Sequence, residues 1–123
     1  MTGWRFSGLH HVQLAMPPGE EDRAVAFYAG TMRMEQIPKP PQLAARGGCW
    51  FRGAGAELHL GVEEGFRPAR KAHPALLVEG LATLRTALEA AGADVVGDEQ
   101  LEGHDRCYVH DPFGNRLELI EER

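Results

Sequence analysis

Apolar residues in this chain fall into two series of short runs, each opened by a strand-like stretch and punctuated by proline and glycine. Leu9-His10-His11-Val12-Gln13-Leu14-Ala15-Met16 reads as a strand that Pro17-Pro18-Gly19 stops. Residues 20–29 read as a helix with Ala24, Phe27 and Tyr28 on its apolar side. The proline-rich stretch 38–41 predicts a loop, and residues 47–52 and 57–62, separated by Gly53-Ala54-Gly55, predict a hairpin. A second helix is predicted over 81–91, where Leu81, Leu84 and Leu88 recur at helical spacing. The last hairpin turns at Asp111-Pro112-Phe113-Gly114-Asn115, a combination that favours tight reversal on backbone grounds alone.

The two series are copies of one pattern. Laying His11 on His73 displaces the chain by 62 residues and also lays Gly30 on Gly92, each just past a predicted helix, where a left-handed cap favours glycine. The displacement then falls to 58, which lays Cys49-Trp50-Phe51 on Cys107-Tyr108-Val109, and to 59, which lays Gly55 on Gly114 and His59 on Glu118. Loops of slightly different length produce such drift. The repeat predicts an α+β fold of two tandem βαβββ modules, module 1 over about 8–63 and module 2 over about 71–121, within one domain spanning 1–123.

Composition narrows the functional classes. A length of 123 residues suits one domain, and 43% hydrophobic with 25% charged residues is ordinary globular usage. With a net charge of -5 and no basic stripe, a nucleic-acid partner is not expected, and no apolar run reaches the roughly 20 residues of a membrane span. The first eight residues lack an apolar stretch of the secretory kind, so a cytoplasmic location is expected. There Cys49 and Cys107 are expected to remain strand thiols without a disulfide or metal role.

The repeat also selects chemistry. Equivalent strands occupy equivalent positions, so His11 and His73 on the first strands and His59 and Glu118 on the last form a candidate ligand set. Imidazole and carboxylate together suit one divalent cation, Zn, Ni, Fe, Mn or Co, and such a site leaves positions open for substrate oxygens. His10 adjoins His11 and faces the other way in a strand. Glu57 shares the face of His59 and is the alternative ligand. His104 and His110 have no repeat partners and read as loop or strand-end residues. Arg67, Arg70 and Lys71 read either as a solvated linker or as a cationic rim steering an anionic substrate. Trp50, Phe51 and Phe66 read as core residues with pocket lining as the alternative.

Two stretches resemble the vicinal oxygen chelate superfamily, which includes glyoxalase I, methylmalonyl-CoA epimerase, fosfomycin resistance enzymes, extradiol dioxygenases and bleomycin resistance proteins. They are the opening Leu9-His10-His11-Val12-Gln13-Leu14-Ala15-Met16 and the closing Val109-His110-Asp111-Pro112-Phe113-Gly114-Asn115-Arg116-Leu117-Glu118-Leu119-Ile120-Glu121. The resemblance implies paired modules curled as a mixed sheet around a metal cavity, usually in a homodimer. It carries the metal positions onto His11, His73 and Glu118. The remaining ligand is Glu57 if this chain is similar to glyoxalase I, and His59 by the internal repeat.

What the resemblance implies for function is a metal-dependent lyase or isomerase acting on a small molecule that chelates the metal through vicinal oxygens. Glu118 and Glu57 are then the candidate catalytic bases. The alternative is a non-catalytic protein that sequesters an antibiotic or other small molecule, as bleomycin resistance proteins do. Metal dependence discriminates the two.

Overall fold

The structure, a computed structural model, describes residues 3–97 and 103–123. Module 1 contains β1 (Val12–Met16), α1 (Glu21–Val25), β2 (Glu35–Ile37), α2 (Pro41–Ala44), β3 (Cys49–Gly53) and β4 (Ala56–Val62). Module 2 contains β5 (Ala75–Leu77), α3 (Leu81–Ala90), β6 (Asp94–Gly97), β7 (His104–His110) and β8 (Arg116–Glu122). Each module builds its own four-stranded sheet, in the orders β1-β4-β3-β2 and β5-β8-β7-β6. In both, the first strand lies parallel to the last, and the other pairs are antiparallel.

The ladders reproduce the sequence repeat residue by residue. Gln13 pairs with His59 as Ala75 pairs with Glu118, and Trp50 pairs with His59 as Tyr108 pairs with Glu118. Cys49 opposite Leu60 is likewise matched by Cys107 opposite Leu119. Both cysteines are buried thiols. Alternation then sorts the faces: Met16, Phe51, Leu58, Leu60, Leu117 and Leu119 meet the helices in one apolar cluster that spans both modules. Ala24, Phe27, Tyr28, Leu81 and Leu88 complete it from the helices, as their spacing predicts.

Three local expectations need correction. The first strand begins at Val12, not Leu9, because its register sets Val12 against Leu58 and so carries residue 9 level with the turn that precedes β4, where there is no strand to pair with. The first helix does not end at a left-handed Gly30: after Val25 it widens into a π-helical stretch, Ala26–Thr31, with Met32 N–H donating to the Phe27 carbonyl at 2.9 Å. The left-handed residue is Arg33, φ 59°, whereas Gly92 at φ 82° caps α3 as expected. Finally, the proline loop closes into α2, since Pro41 at the first helical position lacks an N–H that would have gone unbonded anyway.

The start of α3 borrows its cap from another strand. Gly80 has no side chain to offer, and Glu121 on β8 accepts from Gly80 N–H at 2.8 Å and Leu81 N–H at 3.1 Å. These backbone hydrogen bonds hold the Glu121 carboxyl below its ordinary value. A depressed carboxyl contributes stability above its unfolded pKa, about 4.3, and loses it as pH falls through the folded value. Glu121→Ala is therefore expected to melt below wild type at pH 7, with the gap closing near pH 3. Paired thermal melts at the two values check this.

Candidate metal centre

On β4, Leu58 and Leu60 point into the core, so Glu57 and His59 occupy the opposite face; on β8, Leu117 and Leu119 do the same for Glu118. Both candidate ligands are nevertheless covered, His59 at 4% and Glu118 at 8% exposure. Burying such polar groups is costly unless each has a partner. Both have one.

In module 1, His59 lies between two rings, one from His11 just ahead of β1 and one from Trp50 on β3. The His11 ring stacks on it at 4.0 Å and 15°, the Trp50 indole at 3.9 Å and 7°. His59 donates Nε2–H to Glu57 Oε1 at 2.9 Å, and this bond is the first reason the Glu57 carboxyl sits below its ordinary value. His10 and His11 approach through their Nδ1 atoms at 2.9 Å. Partial burial, then the neighbouring imidazoles of His59 and His10, hold His11 below its usual value. A neutral imidazole is the form that binds metals.

In module 2, His73 precedes β5 and faces Glu118. Its Nδ1 lies 2.8 Å from the Lys71 carbonyl oxygen and its Nε2 lies 2.9 Å from Glu118 Oε1, so both ring nitrogens have partners that fix the plane of the imidazole. Arg106 donates to the other carboxylate oxygen, Oε2, at 3.2 Å. Burial alone would raise the Glu118 carboxyl, but hydrogen bonds from His73 and Arg106 outweigh it and the group lies below its ordinary value. Tyr108 meets the His73 ring edge-on at 5.4 Å, and Arg116 lies 4.0 Å over the Tyr108 ring.

The five predicted site residues thus form two groups, His11 with His59 and Glu57, and His73 with Glu118. Among the described residues no group of three or more His, Cys, Asp or Glu side chains is placed to hold a metal within one chain. Sequence reasoning missed Tyr108 and Arg106, and read Trp50 as core with pocket lining as the alternative. The repeat lays Trp50 on Tyr108, each opposite a candidate ligand, and that signal was legible. Nothing in the spacing singles out Arg106. Of the three linker cations, Arg67 lines a cavity of about 440 Å³ with Gln13, Phe66, His73 and Arg116, while Arg70 and Lys71 do not. His110 is bonded to Asp94 at 3.0 Å. Among the described residues no helix is long and apolar enough to cross a membrane.

The model of the glyoxalase-like domain family matches residues 13–120. A crystal structure of a glyoxalase family protein from Bacillus anthracis is 45% identical, covers 100% of both chains and superposes with a TM-score of 0.93. An integron cassette protein from the Halifax Harbour sewage outfall metagenome is 23% identical over 94% of this chain and 99% of that one, TM-score 0.75. The Listeria monocytogenes fosfomycin resistance protein FosX, crystallised with Mn(II) and sulfate, is 17% identical over 97% and 93%, TM-score 0.77. No curated protein matches the chain in sequence.

Proposed function

The chain belongs to the glyoxalase-like domain family of the vicinal oxygen chelate superfamily, and on that premise we propose that it is a metal-dependent lyase or isomerase whose small substrate chelates the metal through neighbouring oxygens. The observation that carries this reading is the pair of candidate half-sites at one ladder position of two modules: His59 opposite Gln13, Glu118 opposite Ala75, each beside a histidine that lies just ahead of its module's first strand rather than on it. His11, His59, His73 and Glu118 would hold one divalent cation, with Glu57 as the alternative to His59. Imidazole and ionised carboxylate suit Mn(II), the metal FosX was crystallised with, as well as Zn, Ni, Fe and Co.

The donor set fits a metal in kind, and its members make contact as two groups, none of three or more placed to hold a metal among the described residues. We therefore place the complete site in a homodimer, where module 1 of one copy faces module 2 of the other. Bound there, the metal would polarise the substrate's vicinal oxygens. The protein's own residues do the rest. The Lys71 carbonyl helps fix the plane of His73, and Arg106 holds Glu118 by one oxygen so that the other stays directed at His73. Trp50 covers His59 and keeps water from it. Glu57, half-buried at the edge of the face, accepts a proton at Oε1 and is the candidate general base. Arg67 and Arg116 beside His73 would favour a substrate bearing negative charge.

The test is a panel of 2-oxoaldehyde–thiol adducts, epoxides and catechols, offered to metal-loaded protein, chelated protein and Glu118→Gln. Turnover by the loaded protein is expected to fall at least about 100-fold in the other two, since ligand removal costs more than loss of an outer-sphere contact. Ligand binding that survives chelation, without turnover, would transfer the assignment to sequestration.

A further inference from the structure

The segment that leads into β1, residues 3–10, has no regular structure and is exposed throughout. It holds Trp4, Phe6 and Leu9 at 87%, 93% and 82% exposure. One apolar side chain in water needs no explanation, but three large ones within six residues form an apolar ribbon of the kind that marks an interaction surface. The ribbon also carries a cation, Arg5, between its two aromatic residues.

Elsewhere the molecule has a groove of matching chemistry. It encloses about 680 Å³ between the modules and is lined by Met32 and Met34 from one and by Leu76, Leu77, Val78 and Leu84 from the other. Leu77 is 72% exposed there. Methionine is unbranched and polarizable and packs well against aromatic rings. Among the described lining residues the charged ones are all acidic: Glu79, Glu121 and Glu122. Glu121 is committed to the cap of α3, which leaves Glu79 and Glu122 to face an incoming cation.

We propose that the ribbon of one copy seats in this groove of a second copy, with Trp4 and Phe6 against the methionines and leucines and Arg5 against Glu79 and Glu122. The ribbon does not occupy its own groove, and each chain carries one of each, so reciprocal exchange closes a two-fold dimer with no surface left over. The ribbon runs directly into His11, so its docking also fixes where the module 1 half-site of one copy lies relative to the other. The inference shares only the second copy with the functional reading above.

Sedimentation equilibrium and fluorine NMR on protein labelled with 5-fluorotryptophan test it. The chain has two tryptophans, and Trp4→Phe assigns the Trp4 resonance. That resonance is expected to lose its solvent isotope shift as concentration rises through the dimer dissociation constant. Trp4→Ser/Phe6→Ser is expected to raise the constant at least about 30-fold, as loss of buried aromatic anchors does. Leu77→Asp, a change at an exposed position, should do the same from the groove side. Arg5→Glu should weaken the dimer, and Glu79→Arg/Glu122→Arg in the same chain should restore it. Wild-type dissociation constants in these variants overturn the proposal, as does a monomer at all concentrations or a Trp4 resonance sheltered independently of concentration. Metal titration by calorimetry separates the two readings. Ribbon variants that dimerise and load metal like wild type sink only the ribbon, whereas a docked ribbon on protein that binds no metal sinks only the metal site.

Discussion

Asp111→Ala is expected to destabilise the fold by about 3–5 kcal/mol, lowering the melting temperature by about 10–20 °C in a domain of this size. The reason is the number of donors that one buried carboxylate satisfies. Oδ1 accepts from Phe113 N–H at 2.9 Å and Asn115 N–H at 2.8 Å, and Oδ2 from Tyr28 O–H at 2.7 Å and Asn115 Nδ2–H at 2.8 Å. Asp111 is only 5% exposed, so alanine leaves those donors without water to replace the lost acceptor. The same turn ties the modules together, since Asn115 also donates to the Ala15 carbonyl of β1 and Arg23 of α1 to the Pro112 carbonyl. Denaturant melts followed by circular dichroism measure the loss. A change below about 1 kcal/mol would mean that the turn holds by backbone geometry alone.

Tyr28→Phe removes one of the four bonds and is expected to cost about 1–2 kcal/mol, because Asp111 keeps its other donors. It also isolates a pH effect. Burial first, then the Asp111 charge and hydrogen bond, hold the Tyr28 phenol well above its ordinary value. A raised phenol contributes stability that is constant below its unfolded pKa of about 10 and declines as pH rises past it. Wild type should therefore lose stability above about pH 10 more steeply than Tyr28→Phe.

Much of this arrangement was legible in the sequence, and the part that was not has a physical cause. The drift from 62 to 59 along the internal repeat is the ladder register itself, which is why His59 could be laid on Glu118 and found there. The Asp111-Pro112-Phe113-Gly114-Asn115 turn was readable from backbone preference, but its larger duty was not, because the partner Tyr28 lies 83 residues away. Gly30 misled for a related reason: a cap expected from local spacing was displaced when the helix widened, and Arg33 took the left-handed position. Trp50 looked like core because aromatic residues in strands usually are. Its even-numbered neighbour Arg52 shares its face, while Phe51 takes the core. What no periodicity could show is that the candidate donors make contact as two groups, His11 with His59 and Glu57, and His73 with Glu118, since a repeat states equivalence and not proximity.

That grouping makes the last prediction sharp. One mutant chain carries His11→Ala/His59→Ala and is impaired in module 1; a second carries His73→Ala/Glu118→Gln and is impaired in module 2. Each purified alone is expected to lose metal binding by about 100-fold or more, because each retains only half of the donors. Mixed at equal concentration and allowed to exchange partners, they give heterodimers in which module 1 of the second chain meets module 2 of the first. Every ligand is then present at one site, and the other site lacks all four. Calorimetry on isolated heterodimer should therefore find one tight metal per dimer, against two for wild type, and turnover should recover to about half the wild-type rate per dimer if each site acts alone. A metal bound wholly within one chain predicts the opposite: both chains remain deficient however they are paired, and mixing recovers nothing. Trp50 offers an internal check, since it stacks on His59, which is intact in the second chain only. Metal-dependent change in tryptophan emission should appear in the heterodimer and not in either mutant alone. Recovery without that change would place Glu57, rather than His59, in the fourth position.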